Sequence, residues 1–253
     1  MPEREKLREK ARREGRFRDD FLERSPYWDW RVDNYAGFEL EGGVLRMYVG
    51  PTEALYYSNA EISDGLFDDL PWSFKTIEVR ARLRGMHYGS TGWGFWNHSM
   101  ALELCMPIWF IYLRARGPYP LQGFFAQVGR TFQPIVVFGS GGKLAAAYLL
   151  SRLSERLVGV RVVSPRPSMP DLDLGGWHVY RVEWGETVRF SVDGKRVAEI
   201  PFRGSREARA RADVWIDNAV YEARRGDAGA VYRHVTQEVR ERAYLELDYV
   251  AIY

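Results

Sequence analysis

Four short stretches carry side chains suited to a polar, hydroxyl-rich ligand. In VWIDN, strand alternation sets Trp215 and Asp217 on one face, opposite Val214 and Ile216, and Asn218 begins the turn or continues the edge. In IWFIYLRA it sets Trp109, Ile111 and Leu113 on one face and Phe110, Tyr112 and Arg114 on the other. The second set ends in a hydroxyl and a cation, which assigns it to a binding groove. GWGFWN adds Trp93, Trp96 and Asn97, and LQGFFAQVG adds Gln127, an amide that equally caps a loop. The C–H face of a pyranose packs on an aromatic ring and its hydroxyls need paired hydrogen bonds, so rings beside fixed amide, carboxylate and guanidinium groups suit a sugar. The same composition also builds a wide hydrophobic core. For Trp93, Phe95 and Trp96 both readings stand, because the glycines of GWGFW permit tight packing between strands.

Catalytic groups are harder to find. Glu103 is a lone carboxylate among Leu102, Leu104 and Cys105, and one carboxylate cannot serve as both nucleophile and proton donor. His98 titrates in the range of a general base but has no identifiable partner acid, so a structural or surface role is favoured. His87, His178 and His234 show no metal-ligand spacing. Cys105 is the sole cysteine, which excludes an intramolecular disulfide and a cysteine-based zinc site and reads as a buried, inert thiol.

The chain as a whole sets the frame. Its 253 residues, 46% hydrophobic, suffice for one large core. Aromatic residues make up 15% and glycines number 24, which favours many short strands joined by turns. A formal net charge of +2, from 36 basic and 34 acidic side chains, gives no chain-wide field for nucleic acid. The bases are mostly Arg, which suits multidentate ion pairs and a hot-growing source, although codon bias produces the same usage. The opening MPEREKLREKARREG has no apolar signal core, and no apolar run reaches the roughly 18 residues of a membrane span. The expected address is cytoplasmic.

Residues 1–24 read as a charged N-terminal helix with Leu7, Ala11, Phe17 and Phe21 as a thin apolar stripe. Arg4, Arg8, Arg12 and Arg16 form a row on it, suited either to an acidic partner or to a solvated face packed on the domain. From residue 25 the period changes to two, and residues 25–253 read as a single jelly-roll β-sandwich. FELEGGVLRMYV turns at Gly42-Gly43, and FKTIEVRARL points Ile77, Val79 and Ala81 to one face. A strand is expected over 132–138, then a short helix leading into a strand in LAAAYLLSRLSERLVGVRVV, and a long loop over 164–176. WHVYRVEWGETVRFSVDGKRVAEI contains the Asp193-Gly194 pair of a type I′ hairpin. ADVWIDNAVY and the terminal AYLELDYVAIY are further strands, and 222–242 reads as a loop with a short helix.

In this order, YSNAEI, FKTIEVRARL, GSTGWGFWN, WHVYRVEWGETVRFSVDGKRV and LELDYVAIY resemble the laminarinase and lichenase family of glycoside hydrolases, family 16, and the wider concanavalin A-like lectin and glucanase superfamily. The resemblance implies two curved antiparallel sheets and a concave sugar groove. It also implies a Glu-x-Asp-x-Glu strand after the GWGFWN-like segment, with alternate carboxylates projecting together. IWFIYLRA stands there without any carboxylate, so the family's double displacement is not carried over; Asp217 and residues 222–242 are other sources of acids, with no spacing that recommends them. A structural calcium on Asp248 and the carbonyl of Gly43 is a further implication; otherwise Asp248 simply accepts hydrogen bonds, and no cofactor is required.

Three readings follow. A glucanase-like domain without the catalytic carboxylates binds a glycan or another polar small molecule in an aromatic groove. A glycoside hydrolase or lyase on the same scaffold uses relocated acids. A protein-interaction module contacts its partner through the N-terminal helix and a sheet face. The cytoplasmic address sits uneasily with extracellular polysaccharide, a tension that an intracellular glycoside or a glycolipid headgroup relieves.

Overall fold

The structure, a computed structural model, describes residues 2–65, 69–97, 105–116, 121–139, 141–153, 160–222 and 233–253. Helix α1 (Glu3–Glu14) is followed by strands β1 (Phe17–Asp19), β2 (Asp29–Asp33), β3 (Ala36–Glu41), β4 (Val44–Val49) and β5 (Asn59–Ser63). Strands β6 (Thr76–Arg84), β7 (Gly89–Trp96), β8 (Ile108–Arg114), β9 (Gly123–Val128) and β10 (Thr131–Val137) lead to helix α2 (Gly141–Leu153). Then come β11 (Arg161–Val162), β12 (His178–Glu183), β13 (Thr187–Val192), β14 (Lys195–Pro201) and β15 (Arg211–Asp217). Finally come β16 (Ala219–Glu222), β17 (Arg233–Thr236) and β18 (Ala243–Ile252).

These strands make a β-sandwich of two eight-stranded sheets. The first runs β14-β13-β12-β6-β18-β4-β3, with β1 added on β18; the second runs β11-β10-β9-β8-β7-β15-β5-β2. All pairings are antiparallel except β10 with β11, and β16 and β17 form a separate ribbon. The alternation of β6 is realised, with Ile77, Val79 and Ala81 fully buried between the sheets. Aromatic rings fill the same layer: Trp93 lies 4.7 Å from Tyr180, and Phe110 meets Phe190 edge-on at 5.2 Å. The hairpin turn falls at Asp193 and Gly194, both with positive φ.

The amino-terminal segment differs from its periodicity. The helix stops at Glu14 because Gly15 adopts the left-handed conformation and its N–H bonds back to Arg12 O. Phe17 then enters a strand of the sandwich itself, and Phe21 is fully buried. Leu7 and Ala11 do face the core. The arginine row is turned onto the chain's own acids: Arg4 reaches Asp29 at 2.5 Å, Arg8 reaches the same carboxylate at 2.9 Å, and Arg12 pairs with Asp69. In 222–242, Arg233–Thr236 is a strand rather than a helix. Cys105 is half-buried against the core rather than enclosed.

Candidate functional site

The outer face of the second sheet gathers the chemistry. Register sets Glu61 beside Trp215, Asp213 between Ser63 and Gly94, and Asp217 between Asn59 and Ser90. Cross-strand partners share a face, so β15 presents Arg211, Asp213, Trp215 and Asp217 together. On the same face β8 presents Trp109, Ile111 and Leu113, and β7 presents Ser90, Gly92, Gly94 and Trp96.

The two β7 glycines make room for indoles. A Cβ on Gly92 would lie 2.4 Å from Trp215 Cη2, and one on Gly94 would lie 2.5 Å from Trp109 Cβ. Trp109 and Trp215 therefore close over β7 with ring centroids 4.4 Å apart, and Trp96 continues the series 6.1 Å from Trp109. Their indole N–H groups are satisfied, Trp109 donating to Gln127 Oε1 at 2.8 Å and Trp215 to Ser90 Oγ at 2.9 Å. Trp109 and Trp215 are only 4% and 5% exposed; Trp96 is the half-buried member.

At one end of this platform lies a buried ionic cluster. Arg211 donates to Glu61 Oε1 at 2.8 Å, Ser63 Oγ at 3.2 Å and Gly65 O at 3.0 Å, lies 3.4 Å from Asp213 Oδ2, and stacks over Trp96 at 5.1 Å. Burial pushes the Asp213 carboxyl well above the usual range; Arg211 opposes this, while Glu61, within hydrogen-bond reach, reinforces it. Asp213 and Glu61 thus crowd two carboxyls onto one guanidinium. Asn59 Nδ2 donates to Glu61 Oε2 at 3.2 Å, but the buried Asn59 Oδ1 and Asp213 Oδ1 accept no hydrogen bond among the described residues.

At the other end, Asp217 Oδ1 accepts from Ser90 N at 3.1 Å, Ser90 Oγ at 2.9 Å and Ala219 N at 3.0 Å. Burial outweighs those bonds and raises its carboxyl to about 7. His87, also buried, has its Nε2 2.8 Å from Asp217 O and is lowered to about 4 by desolvation. Asn218 is a loop pin: its Oδ1 accepts from Ser58 N at 2.8 Å, and its Nδ2 donates to Tyr56 O at 2.9 Å and Gln237 O at 3.0 Å.

Several sequence expectations change. Trp93, Phe110 and Tyr112 face the core, not the groove. The Tyr112 hydroxyl that argued for a polar face donates to His87 O at 2.7 Å, which satisfies it inside the protein. Arg114, at the strand end, donates to Met86 O at 2.5 Å and covers Tyr88 at 4.7 Å. Gln127 and Trp215 are on the indole face, and Asn97 lies just past the end of β7. His98 and Glu103 lie outside the described residues. Of the residues named for calcium, Asp248 accepts from Arg80 at 2.8 Å and Gly43 lies in the β3–β4 turn. Among the described residues no group of three His, Cys, Asp or Glu side chains is placed to hold a metal.

Neither a protein-family model nor a curated protein sequence matches the chain. Solved structures do match its fold. One represents the endo-acting O-glycanases that members of the human gut microbiota express to initiate mucin breakdown: TM-score 0.55, 14% identity, 93% of this chain and 97% of that one. The endo-1,3-β-glucanase (laminarinase) catalytic domain from Thermotoga petrophila RKU-1 gives 0.52 at 13% identity, over 94% and 96% of the two chains. The κ-carrageenase from Pseudoalteromonas carrageenovora, solved with an oligotetrasaccharide of κ-carrageenan, gives 0.51 at 11% identity, over 93% and 92%. The chain therefore has the concanavalin A-like, glucanase-type jelly-roll fold. Identities this low carry the fold alone.

Proposed function

We propose that the chain is a carbohydrate-binding jelly roll that holds a glycan on the outer face of its second sheet without cleaving it. The observation that carries this reading is the indole series Trp215–Trp109–Trp96 running into the Arg211–Glu61–Asp213 cluster. Stacking surface and charged hydrogen-bonding groups lie side by side, as sugar recognition requires. Trp96, the half-buried ring, is where a pyranose first stacks. The absence of cleavage is supported by β8, whose Trp109, Ile111 and Leu113 stand where the resemblance would put carboxylates. The fold neighbours, glycan-degrading enzymes, favour the same ligand class.

Glycoside hydrolysis is the second reading, favoured by the Glu61 and Asp213 carboxyls standing side by side on Arg211. Their surroundings count against it. Both are engaged by one nitrogen, Arg211 Nη2, at 2.8 and 3.4 Å, instead of facing each other across an open groove as a nucleophile and a proton donor do.

Thermal unfolding with β-glucan, xylan and mannan oligosaccharides tests both readings. A ligand of the native state raises Tm by mass action, worth about 2.7 kcal/mol at one hundred times Kd. We expect a rise with at least one of these sugars that Trp96→Ala removes. No rise with any of them sinks the binding reading. Release of reducing ends that Glu61→Gln abolishes would establish hydrolysis instead.

A further inference from the structure

The first sheet carries a recess of its own, on the face away from the core. Register places Arg196 of β14 beside Ser191 of β13, Ser191 beside Arg181 of β12, and Arg181 beside Glu78 of β6. Neighbouring strands lie about 4.8 Å apart, so the two arginines stand roughly 10 Å apart at Cα with only a serine between them. The result is a depression of about 340 Å³, with Glu183 and Gly194 completing its wall.

A bulge builds it. Phe190 pairs with Ala198 but Ser191 pairs with Arg196, so Val197 is an extra residue on β14. Val197 and Ala198 are both buried, and Arg196 emerges on the outer face beside Ser191. Local acids leave the arginines underused. Arg181 reaches Glu183 through Nη2 at 3.3 Å, and Arg196 reaches Glu199 through Nη1 at 2.5 Å. Glu78 accepts from the Tyr249 and Tyr253 hydroxyls at 2.9 and 3.1 Å, one on each oxygen. Arg181 Nε is buried and has no acceptor among the described residues. That one N–H is shielded while the side chain as a whole is 39% exposed, so the unpaired donor is free to turn to an incoming acceptor.

We propose that this recess binds a small tetrahedral oxyanion, the phosphate or sulfate group of a ligand. Arg181 and Arg196 reach it from opposite sides with their remaining N–H groups, and the Ser191 hydroxyl donates from the floor. Guanidinium forks match such oxygens in geometry and charge. The site lies on the sheet opposite the indole platform and stands independently of the glycan reading.

Calorimetric titration at low ionic strength with inorganic phosphate, inorganic sulfate, glucose 6-phosphate and glucose tests it. We expect the anions to bind in a way that the arginine variants weaken, whereas any binding of glucose is untouched by those variants. Arg196→Gln, at an exposed position that leaves the fold intact, should weaken binding about ten-fold, as the loss of one charge-assisted contact does. Arg181→Gln should weaken it similarly, and Trp96→Ala should leave it unchanged. Tighter binding of phosphate identifies a phosphate ester as the source, and tighter binding of sulfate a sulfate ester. No binding of any anion, or undiminished affinity in both arginine variants, overturns the proposal.

Discussion

Arg211→Met should cost the fold about 3–5 kcal/mol, the range expected when one member of a buried charge cluster is removed and its partner left behind. Arg211 is 4% exposed, Glu61 8% and Asp213 2%, so no water replaces the lost guanidinium. Burial already disfavours the charged form of Asp213, so that carboxyl is the less dependent on the guanidinium. Glu61 is the stranded charge, keeping only the Asn59 amide and a distant Arg31 at 3.9 Å. Adding Glu61→Gln to Arg211→Met should therefore recover much of the loss, because the second change removes the unpaired charge rather than a bond. Urea unfolding of the two single variants and the double variant measures this. A double variant as unstable as the sum of the singles would mean that the cluster is held by shape and not by charge.

Stability should fall as pH rises from about 4 to about 7. Asp217 is raised to about 7 and Asp64 to about 6, so in this window the native state holds protons that the unfolded chain has released. Stability then declines with pH, and the Asp217 shift alone amounts to about 4 kcal/mol over its full range, at 1.36 kcal/mol per unit. His87 acts in the opposite sense. Lowered to about 4, it contributes stability that is present above its unfolded value and lost as pH falls through 6.5 towards 4. The two aspartates together outweigh the one histidine. Thermal unfolding should thus show the protein about 1.4 kcal/mol more stable at pH 5.5 than at pH 8. Asp217→Asn preserves an acceptor for Ser90 and Ala219 and should flatten the curve above pH 6. A variant with the wild-type slope would assign the pH dependence to another group.

Much of the sandwich was legible in the sequence, and the reasons are local. The Asp193-Gly194 turn demands positive φ, and the 74–83 strand keeps polar and apolar residues on separate faces. The faces of β8 were not legible. That strand is covered on both sides, so neither parity is polar, and a tyrosine hydroxyl and a terminal arginine pointed to the wrong one. The Glu61–Arg211–Asp213 cluster was missed because its members lie about 150 positions apart. A signal was nonetheless present: extending the parity of Trp215 and Asp217 backwards reaches Asp213 and Arg211, which places three ionisable residues on one face of one strand.

The pairing of β1 with β18 also fixes the order in which the molecule can be finished. Phe17 pairs across to Ile252, so the first strand has no partner until residue 252 has been made. At synthesis rates of about 5–20 residues per second, that strand waits roughly 10 to 50 seconds beside an unfinished sheet. During that interval β18 is missing from between β6 and β4, and the first sheet is split into two halves. The arginines of α1, by contrast, meet Asp29 and Asp69 early. The α1 contacts to Asp29 and Asp69 span only 25 and 57 positions, so they are local compared with the β1–β18 pairing that closes the sheet.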